Sequence, residues 1–455
     1  MSELLLLAPE LLVLTGALVA LFADRVTTHP RAAAHIGAPL ALVAAVVAAV
    51  IGTRGGIFAG MLSLDGMAVF ARIGIAALLA VWLRWVSGRG TGSERSAEAV
   101  ALAMLSAVGG MLMVSARDLI VLFISLELST MPAYVLMGYR RDDARGLEGA
   151  LKYFLLSMLT SLIMLYGLSF AYGISGSTAF GDLGVVDSGT LGQLAVAFVL
   201  VGLFAKLSAA PFHYWTPDAY AGAPASSVAY VSTVPKIAGV VALAQLVAAF
   251  TDNGGTVVPV LVAGSLLSML VGNLAAYPQT DLRRLMAYSG VAHSGYILLA
   301  VASGRAGAVA AVFYVVAYAV PSMAIMLLGS EEGTALDDLS GLAARRPAVA
   351  WASVVWLLSL VGIPPMVGFF GKLTMFTAAL DSGLLWLVIV AVSMSVISAG
   401  YYFRVLRAVF FGERADACCA TRSPAAAVAY AALTLATLAL GILASPVLEL
   451  FGLRL

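Results

Sequence analysis

Lysine is rare in this sequence, and each copy lies where an ionisable side chain is costly. The 455 residues include only four lysines, Lys152, Lys206, Lys236 and Lys372, and each lies inside an apolar run. A charge at the centre of a bilayer costs about 3 kcal/mol on insertion scales. Arginine keeps its charge, whereas a buried amine can release its proton. The pattern therefore indicates that these lysines are protonated reversibly. The alternative is that they are permanently ion-paired or reach the membrane interface and only fix helix packing. This alternative applies most readily to Lys152.

Two other ionisable residues occupy the middle of apolar runs. Glu127, in LFISLELSTM, is expected to be the counter-ion of a lysine on a neighbouring helix. His293, in YSGVAHSGYIL, can be a proton relay or a neutral imidazole satisfied by Ser289 or a backbone carbonyl. Glu148 precedes Lys152 by four residues, so the two share a helical face and are predicted to form a local ion pair.

Composition defines the environment of these residues. Hydrophobic residues make up 62% of the chain and charged residues 11%, against about 25% charged residues in an ordinary soluble domain. We therefore expect an all-α integral membrane protein, and the net charge of +1 provides no basic face for nucleic acid. Cys418 and Cys419 are adjacent and too few for an iron-sulfur cluster or a disulfide framework. We expect no cofactor and no metal ion in this chain.

Apolar runs divide the chain into about 14 predicted transmembrane helices, because a spanning helix needs about 20 mostly apolar residues. The first run is flanked by Ser2 and Glu3 rather than by basic residues, so we interpret it as a retained helix rather than a signal peptide. The predicted spans are 4–23, 35–52, 64–86, 97–115, 119–138, 147–173, 191–215, 226–250, 257–277, 283–302, 306–329, 348–380, 384–411 and 424–451.

Arginine placement predicts the orientation of these spans. Loops after odd-numbered spans are rich in arginine, as at Arg140, Arg141 and Arg145, whereas loops after even-numbered spans contain few. Positive residues favour the cytoplasmic side. The odd-numbered loops are therefore predicted to be cytoplasmic and both chain termini to lie outside.

Prolines interrupt the seventh and twelfth spans close to a lysine. Pro211 follows Lys206 by five residues, and Pro364 and Pro365 precede Lys372. The carbonyls freed by these prolines are predicted to line a hydrated cavity, the alternative being kinks that serve packing alone. Two interrupted helices five spans apart predict two inverted five-helix repeats, spans 4–8 and 9–13. The predicted divisions are 1–96 for helices 1 to 3, 97–250 and 257–411 for the two repeats, and 412–455 for the last loop and helix.

With these residues assembled, the chain resembles the antiporter-like subunit N of proton-pumping NADH:quinone oxidoreductase, respiratory complex I. The resemblance extends over most of the chain and includes GMLMVSARDLIVLFISLELSTMPAYVLMGY, FAKLSAAPFHYWTPDAYAGAP, MAYSGVAHSGYILL and GIPPMVGFFGKLTMF. It implies a coupled pair formed by Glu127 and Lys206. Pro235 departs from the small polar residue expected before Lys236 and is expected to alter the local helix geometry. The resemblance further implies proton-pathway roles for Lys236, His293 and Lys372, and a sixth-span lysine at Lys152.

The resemblance implies that this chain moves protons while redox chemistry occurs elsewhere. Flavin, such as FMN, iron-sulfur clusters and quinone would then lie in other subunits, and the neighbours would be other membrane-arm subunits, especially M and K. The location implied is a bacterial or archaeal cytoplasmic membrane. Alternatives are a related F420H2- or ferredoxin-dependent dehydrogenase, a multisubunit sodium/proton antiporter, or a membrane scaffold that transports nothing.

Overall fold

The computed structural model describes residues 3–26, 31–89, 96–140, 142–250, 255–411 and 423–450. Cys418, Cys419 and both chain ends lie outside the described residues. The described part is almost entirely helical. Its one hairpin consists of strands β1 (Gly55–Ile57) and β2 (Leu62–Leu64), which pair antiparallel.

The helices follow the apolar runs of the sequence. Those of the N-terminal part are α1 (Glu3–Leu6), α2 (Ala8–Val26), α3 (Ala32–Ile51) and α4 (Gly66–Arg89). The next group is α5 (Ser96–Ser115), α6 (Leu119–Met137), α7 (Ala144–Ser175), α8 (Gly189–Leu207), α9 (Trp215–Gly222), α10 (Ala225–Val231) and α11 (Val234–Phe250). The remainder are α12 (Val257–Ala276), α13 (Leu282–Ala302), α14 (Gly304–Glu332), α15 (Leu342–Arg345), α16 (Pro347–Val361), α17 (Val367–Asp381), α18 (Leu385–Phe411), α19 (Pro424–Ile442) and α20 (Ala444–Leu450).

Among the described residues, 12 helices are long and apolar enough to cross a membrane. Two further apolar helices, Ala8–Ala23 and Pro347–Val361, are shorter. This confirms an all-α membrane protein. Every predicted apolar run overlaps a helix or an interrupted helix, and the count of about 14 spans stays a prediction.

Burial separates central helices from peripheral ones. The apolar window of α14 is 100% buried and that of α13 94% buried, whereas those of α7 and α18 are only 33% buried. Polar side chains on α13 and α14 are thus removed from lipid and must find partners inside the protein. The centre of the molecule is therefore where ionisable groups can be held by neighbouring helices.

Three predicted spans are interrupted. The run 191–215 ends as a helix at Leu207 rather than at residue 215, because Ser208 adopts a left-handed conformation (φ 60°) that an α-helix cannot continue. A two-residue turn separates α10 from α11, and the run 348–380 consists of α16 and α17. Pro235 lies in the first turn of α11, where the missing N–H has no helical partner to lose.

Two corners of the fold repeat the same local structure. Asp118 accepts hydrogen bonds from the backbone N–H groups of the first turn of α6, and Asp281 does so for α13. Each aspartate also forms an isolated antiparallel bridge, Asp118 with Ala179 and Asp281 with Ala335. A 3₁₀ helix follows each bridge partner, at Phe180–Val185 and Leu336–Leu339.

Candidate functional site

Lys206 lies in the last turn of α8 and is held by a neutral partner. Its Nζ donates a hydrogen bond of 2.7 Å to the hydroxyl of Thr130 on α6. Glu127 lies one turn before Thr130 on α6, and neither of its buried carboxylate oxygens has a hydrogen-bond partner among the described residues. Among the described residues Glu127 and Lys206 thus form no direct ion pair, since the amine bonds the hydroxyl of Thr130, and their coupling stays a prediction.

The interruption after α8 frees a carbonyl that a neighbouring helix satisfies. Pro211 has no N–H to bond the carbonyl four residues before it, which is that of Leu207. The hydroxyl of Ser294 on α13 donates to this carbonyl and also, at 2.9 Å, to that of Gly290. The freed carbonyl thus joins the broken helix to α13. The hydrated cavity expected at this interruption stays a prediction.

Lys236, near the start of α11, is 4% exposed. Its Nζ donates a hydrogen bond of 3.0 Å to the carbonyl of Gly290 and lies 5.3 Å from the ring centre of Tyr318. A Cβ at Gly239, one turn along α11, would lie 3.0 Å from Cγ of Lys206. The side chain of Lys206 therefore packs against α11 about one turn from Lys236.

His293 lies on α13 between two tyrosine hydroxyls. Its Nδ1 is hydrogen-bonded to the hydroxyl of Tyr314 on α14, and its Nε2 lies 3.1 Å from the hydroxyl of Tyr402 on α18. Ser289 bonds Tyr402 rather than the histidine, which corrects the expectation that Ser289 or a carbonyl satisfies the imidazole. A neutral imidazole needs one donor and one acceptor, and two hydroxyls can exchange these roles. The arrangement can therefore pass a proton through the ring.

Lys372 on α17 uses the second interruption as its binding site. Pro364 and Pro365 leave the carbonyls of Leu360 and Val361 without their helical N–H partners. Nζ of Lys372 donates to these two carbonyls at 3.0 and 2.8 Å, and to the hydroxyl of Ser395 at 2.8 Å. The twelfth-span prolines thus create the acceptors that hold this buried lysine.

Lys152 differs from the other three lysines. Its side chain is 44% exposed and forms the predicted ion pair with Glu148 at 2.8 Å, together with a second pair to Asp218 at 3.0 Å. This environment fits the alternative of permanent ion pairing. The structure does not place Lys152 beside the buried lysines.

The tyrosines of the site were missed by sequence reasoning. The ring of Tyr318 lies 4.8 Å from the His293 ring and below Lys236, and the ring of Tyr296 lies 5.8 Å from His293 and below Lys372. Tyrosine in an apolar run is equally typical of a membrane interface. Only the packing of α13, α14 and α18 shows that these tyrosines lie beside His293 and not at a membrane interface.

The fold and the site together define a polytopic membrane protein with a central line of buried ionisable groups. Residues 116–398 match the family model described as NADH:quinone oxidoreductase/Mrp antiporter, TM. The chain belongs to this family.

Named relatives and solved structures agree with this assignment. The chain is 35% identical over 475 residues to NADH-quinone oxidoreductase subunit N of Jannaschia sp., covering 100% of this chain and 97% of the relative. It is 40% identical to subunit N 2 of Syntrophobacter fumaroxidans, covering 89% of each. A chain of respiratory complex I from Thermus thermophilus superposes with a TM-score of 0.86 at 31% identity, covering 98% of this chain and 99% of that one. The Mrp complex of Dietzia sp. shares the fold, with a TM-score of 0.86 at 24% identity and coverage of 99% and 97%.

Proposed function

We propose that this chain is the proton-translocating subunit N of a respiratory NADH:quinone oxidoreductase. The observation that carries the proposal concerns the partners of the buried lysines. Lys206, Lys236 and Lys372 form no ion pair with a carboxylate of the described residues, and their amines bond only hydroxyls and carbonyls. A buried ammonium without a counter-ion is costly, so these amines suit a site that is neutral during part of a working cycle.

The proposed path begins at Lys206, which responds to the charge of Glu127 and of a neighbouring subunit. Protons then pass to Lys236, through His293 with its tyrosine hydroxyls, and to Lys372 and the outer side. Water molecules complete the gaps, since polar sites in protein interiors commonly hold ordered water. Moving one charge against 100 mV costs about 2.3 kcal/mol. A modest change in the surroundings of a buried amine can change its free energy of protonation by a similar amount.

The proposed architecture has 14 spans, two inverted five-helix repeats and both termini outside. The matching corners at Asp118 and Asp281 support the repeats, because each caps a helix and bridges to a segment leading into a 3₁₀ helix. The corners lie at the starts of α6 and α13, five predicted spans apart. An odd number of spans between equivalent helices inverts the second repeat relative to the first.

The proposed surroundings follow from the function. Neighbouring membrane-arm subunits, among them M and K, would contact the chain, and flavin, iron-sulfur clusters and quinone would lie in other subunits. The name of the Thermus thermophilus structure, a respiratory complex I, supports such an assembly. The location proposed is a bacterial or archaeal cytoplasmic membrane.

Substitution of Lys206 by alanine tests the function. In the assembled complex reconstituted into liposomes, Lys206→Ala should lower the number of protons translocated per NADH oxidised, because the first amine of the path is lost. Tyr166→Phe, at a tyrosine that is 58% exposed on α7, is the control and should translocate protons like the unmodified complex. If the Lys206→Ala complex pumps like the unmodified one, the proposed function is wrong and the alternative of a scaffold that transports nothing is favoured.

A further inference from the structure

The short helix α9 connects a cluster of charges to Lys206. Asp218, on α9, accepts from Lys152 of α7 at 3.0 Å and from Arg284 of α13 at 3.1 Å. Lys152 also pairs with Glu148, whose side chain is 65% exposed. One end of this cluster therefore faces the surroundings of the chain, and Asp218 joins it to helices of both predicted repeats.

Trp215, at the start of α9, carries the connection to the lysine. Its indole N–H donates a hydrogen bond of 3.1 Å to the carbonyl of Ala205, the residue before Lys206. Its ring stacks on Tyr153, the residue after Lys152, with ring centres 4.0 Å apart. Trp215 is 4% exposed, so water does not compete strongly for the carbonyl.

Glycines fix α9 on α7 at backbone contact. A Cβ at Gly149 would lie 3.0 Å from the carbonyl oxygen of Asp218, and a Cβ at Gly222 would lie 2.5 Å from that of Arg145. Contacts this close leave no room for the two helices to shift independently. A displacement of α9 therefore involves α7 as well, and the two helices move as one unit.

We propose that α9 is a strut through which the Lys152–Asp218–Arg284 cluster sets the position of Lys206, with Asp218 and Trp215 as positioning residues. The inference rests on the proposed function, since it specifies how the first lysine of the path is controlled. A change of charge beside Glu148 and Lys152 alters the hold on Asp218. The strut then moves the end of α8, where Lys206 meets Thr130.

The test uses the assembled complex in liposomes and measures protons translocated per NADH oxidised. Trp215→Phe keeps a six-membered aromatic ring and removes the indole donor together with the five-membered ring. Its matched control is Trp356→Phe, which removes an indole bond of 3.0 Å to Thr434 on α19. Asp218→Asn removes the negative charge at position 218, and Asp218→Glu keeps it on a longer side chain. Lys206→Ala, measured in parallel, reports on the proposed function itself.

The strut predicts a fall of about two- to fivefold in the proton ratio for Trp215→Phe and for Asp218→Asn, at unchanged amounts of assembled complex. Asp218→Glu should recover most of the ratio, and the double variant Trp215→Phe/Asp218→Asn should be no worse than the more severe single variant. If the Asp218→Asn complex fails to assemble, the proton ratio of Trp215→Phe, compared with that of Trp356→Phe, still tests the proposal.

Several results would overturn the strut while the function stands: a Trp215→Phe complex equal to its control, no recovery by Asp218→Glu, or single effects that simply multiply. In each case Lys206→Ala would still lower the number of protons translocated per NADH oxidised. A Lys206→Ala complex with an unchanged ratio would instead overturn the proposed function.

Discussion

Residue type and position give the buried lysines their chemistry. An amine can be charged or neutral inside a protein, whereas a guanidinium stays charged. The contrast with Arg72 illustrates this, because that fully buried arginine is neutralised by Glu10 through two hydrogen bonds, the longer of 2.7 Å. Lys236 and Lys372 are similarly buried but meet only neutral acceptors. The lysines are therefore suited to exchange protons and Arg72 to hold α2 against α4.

The hydroxyl of Tyr402 is predicted to participate in proton transfer. It bridges Ser289 and Nε2 of His293, so Tyr402→Phe leaves the imidazole with one hydroxyl partner instead of two. We expect a lower rate of proton translocation, measured by pH-dye quenching in liposomes, with normal assembly. Tyr166→Phe, at a tyrosine that is 58% exposed on α7, is the control. Equal rates for the two variants would exclude Tyr402 from the path.

The positions of the ionisable residues could be predicted from the sequence, but their partners could not. A lysine within an apolar run is visible in the chain itself. Thr130 and Tyr402 become partners only when separate helices pack, and nothing in their local sequence marks them. The coupling of Glu127 with Lys206 stays a prediction, and the hydroxyl of Thr130, which the amine bonds directly, could not be foreseen from opposite charges alone.

At the scale of elements, helix interruptions form the binding sites. The places where the helices break were predicted from Pro211, Pro364 and Pro365. The second break matters because it frees the carbonyls of Leu360 and Val361, which bind Lys372. The exact ends could not be predicted, because a left-handed residue at Ser208 ends α8 before the proline is reached.

Gly362 tests the second interruption. It has φ 95°, and a Cβ there would lie 3.0 Å from Cδ of Lys372. Gly362→Ala should therefore displace the amine and reduce proton translocation. Gly383→Ala is the matched control, since Gly383 also has a positive φ (83°) but a Cβ there would meet nothing within 4 Å. Both variants should lose about 1 kcal/mol of stability from backbone strain, measured by thermal unfolding, and equal pumping by both would contradict the role of the break.

At the scale of the molecule, the family assignment agrees with a chain that spans the membrane many times. The match over residues 116–398 contains every predicted proton-pathway residue. The apolar runs and their order could be predicted from the hydrophobicity along the sequence, because each helix that crosses the membrane needs a long apolar segment. The arrangement of α13 and α14 at the centre depends on contacts between distant segments, which periodicity does not encode.

Orientation is tested by cysteine labelling. With Cys418 and Cys419 replaced by serine, Ala179→Cys should react with a membrane-impermeant maleimide from outside, since the loop after α7 is predicted to be external. Asp142→Cys, before α7, should react only in inverted vesicles. Both positions are exposed in the structure. The reverse labelling pattern would show that the arginine distribution had been misinterpreted.

The most direct test of the central claim is the proton ratio of a Lys236→Arg complex. Arginine preserves the positive charge but cannot release a proton under physiological conditions. We predict that protons translocated per NADH oxidised fall sharply in Lys236→Arg and remain unchanged in the control Lys152→Arg, at equal amounts of assembled complex. A Lys236→Arg complex that pumps at the unmodified ratio would show that a permanently charged group suffices at this position, and would contradict the account.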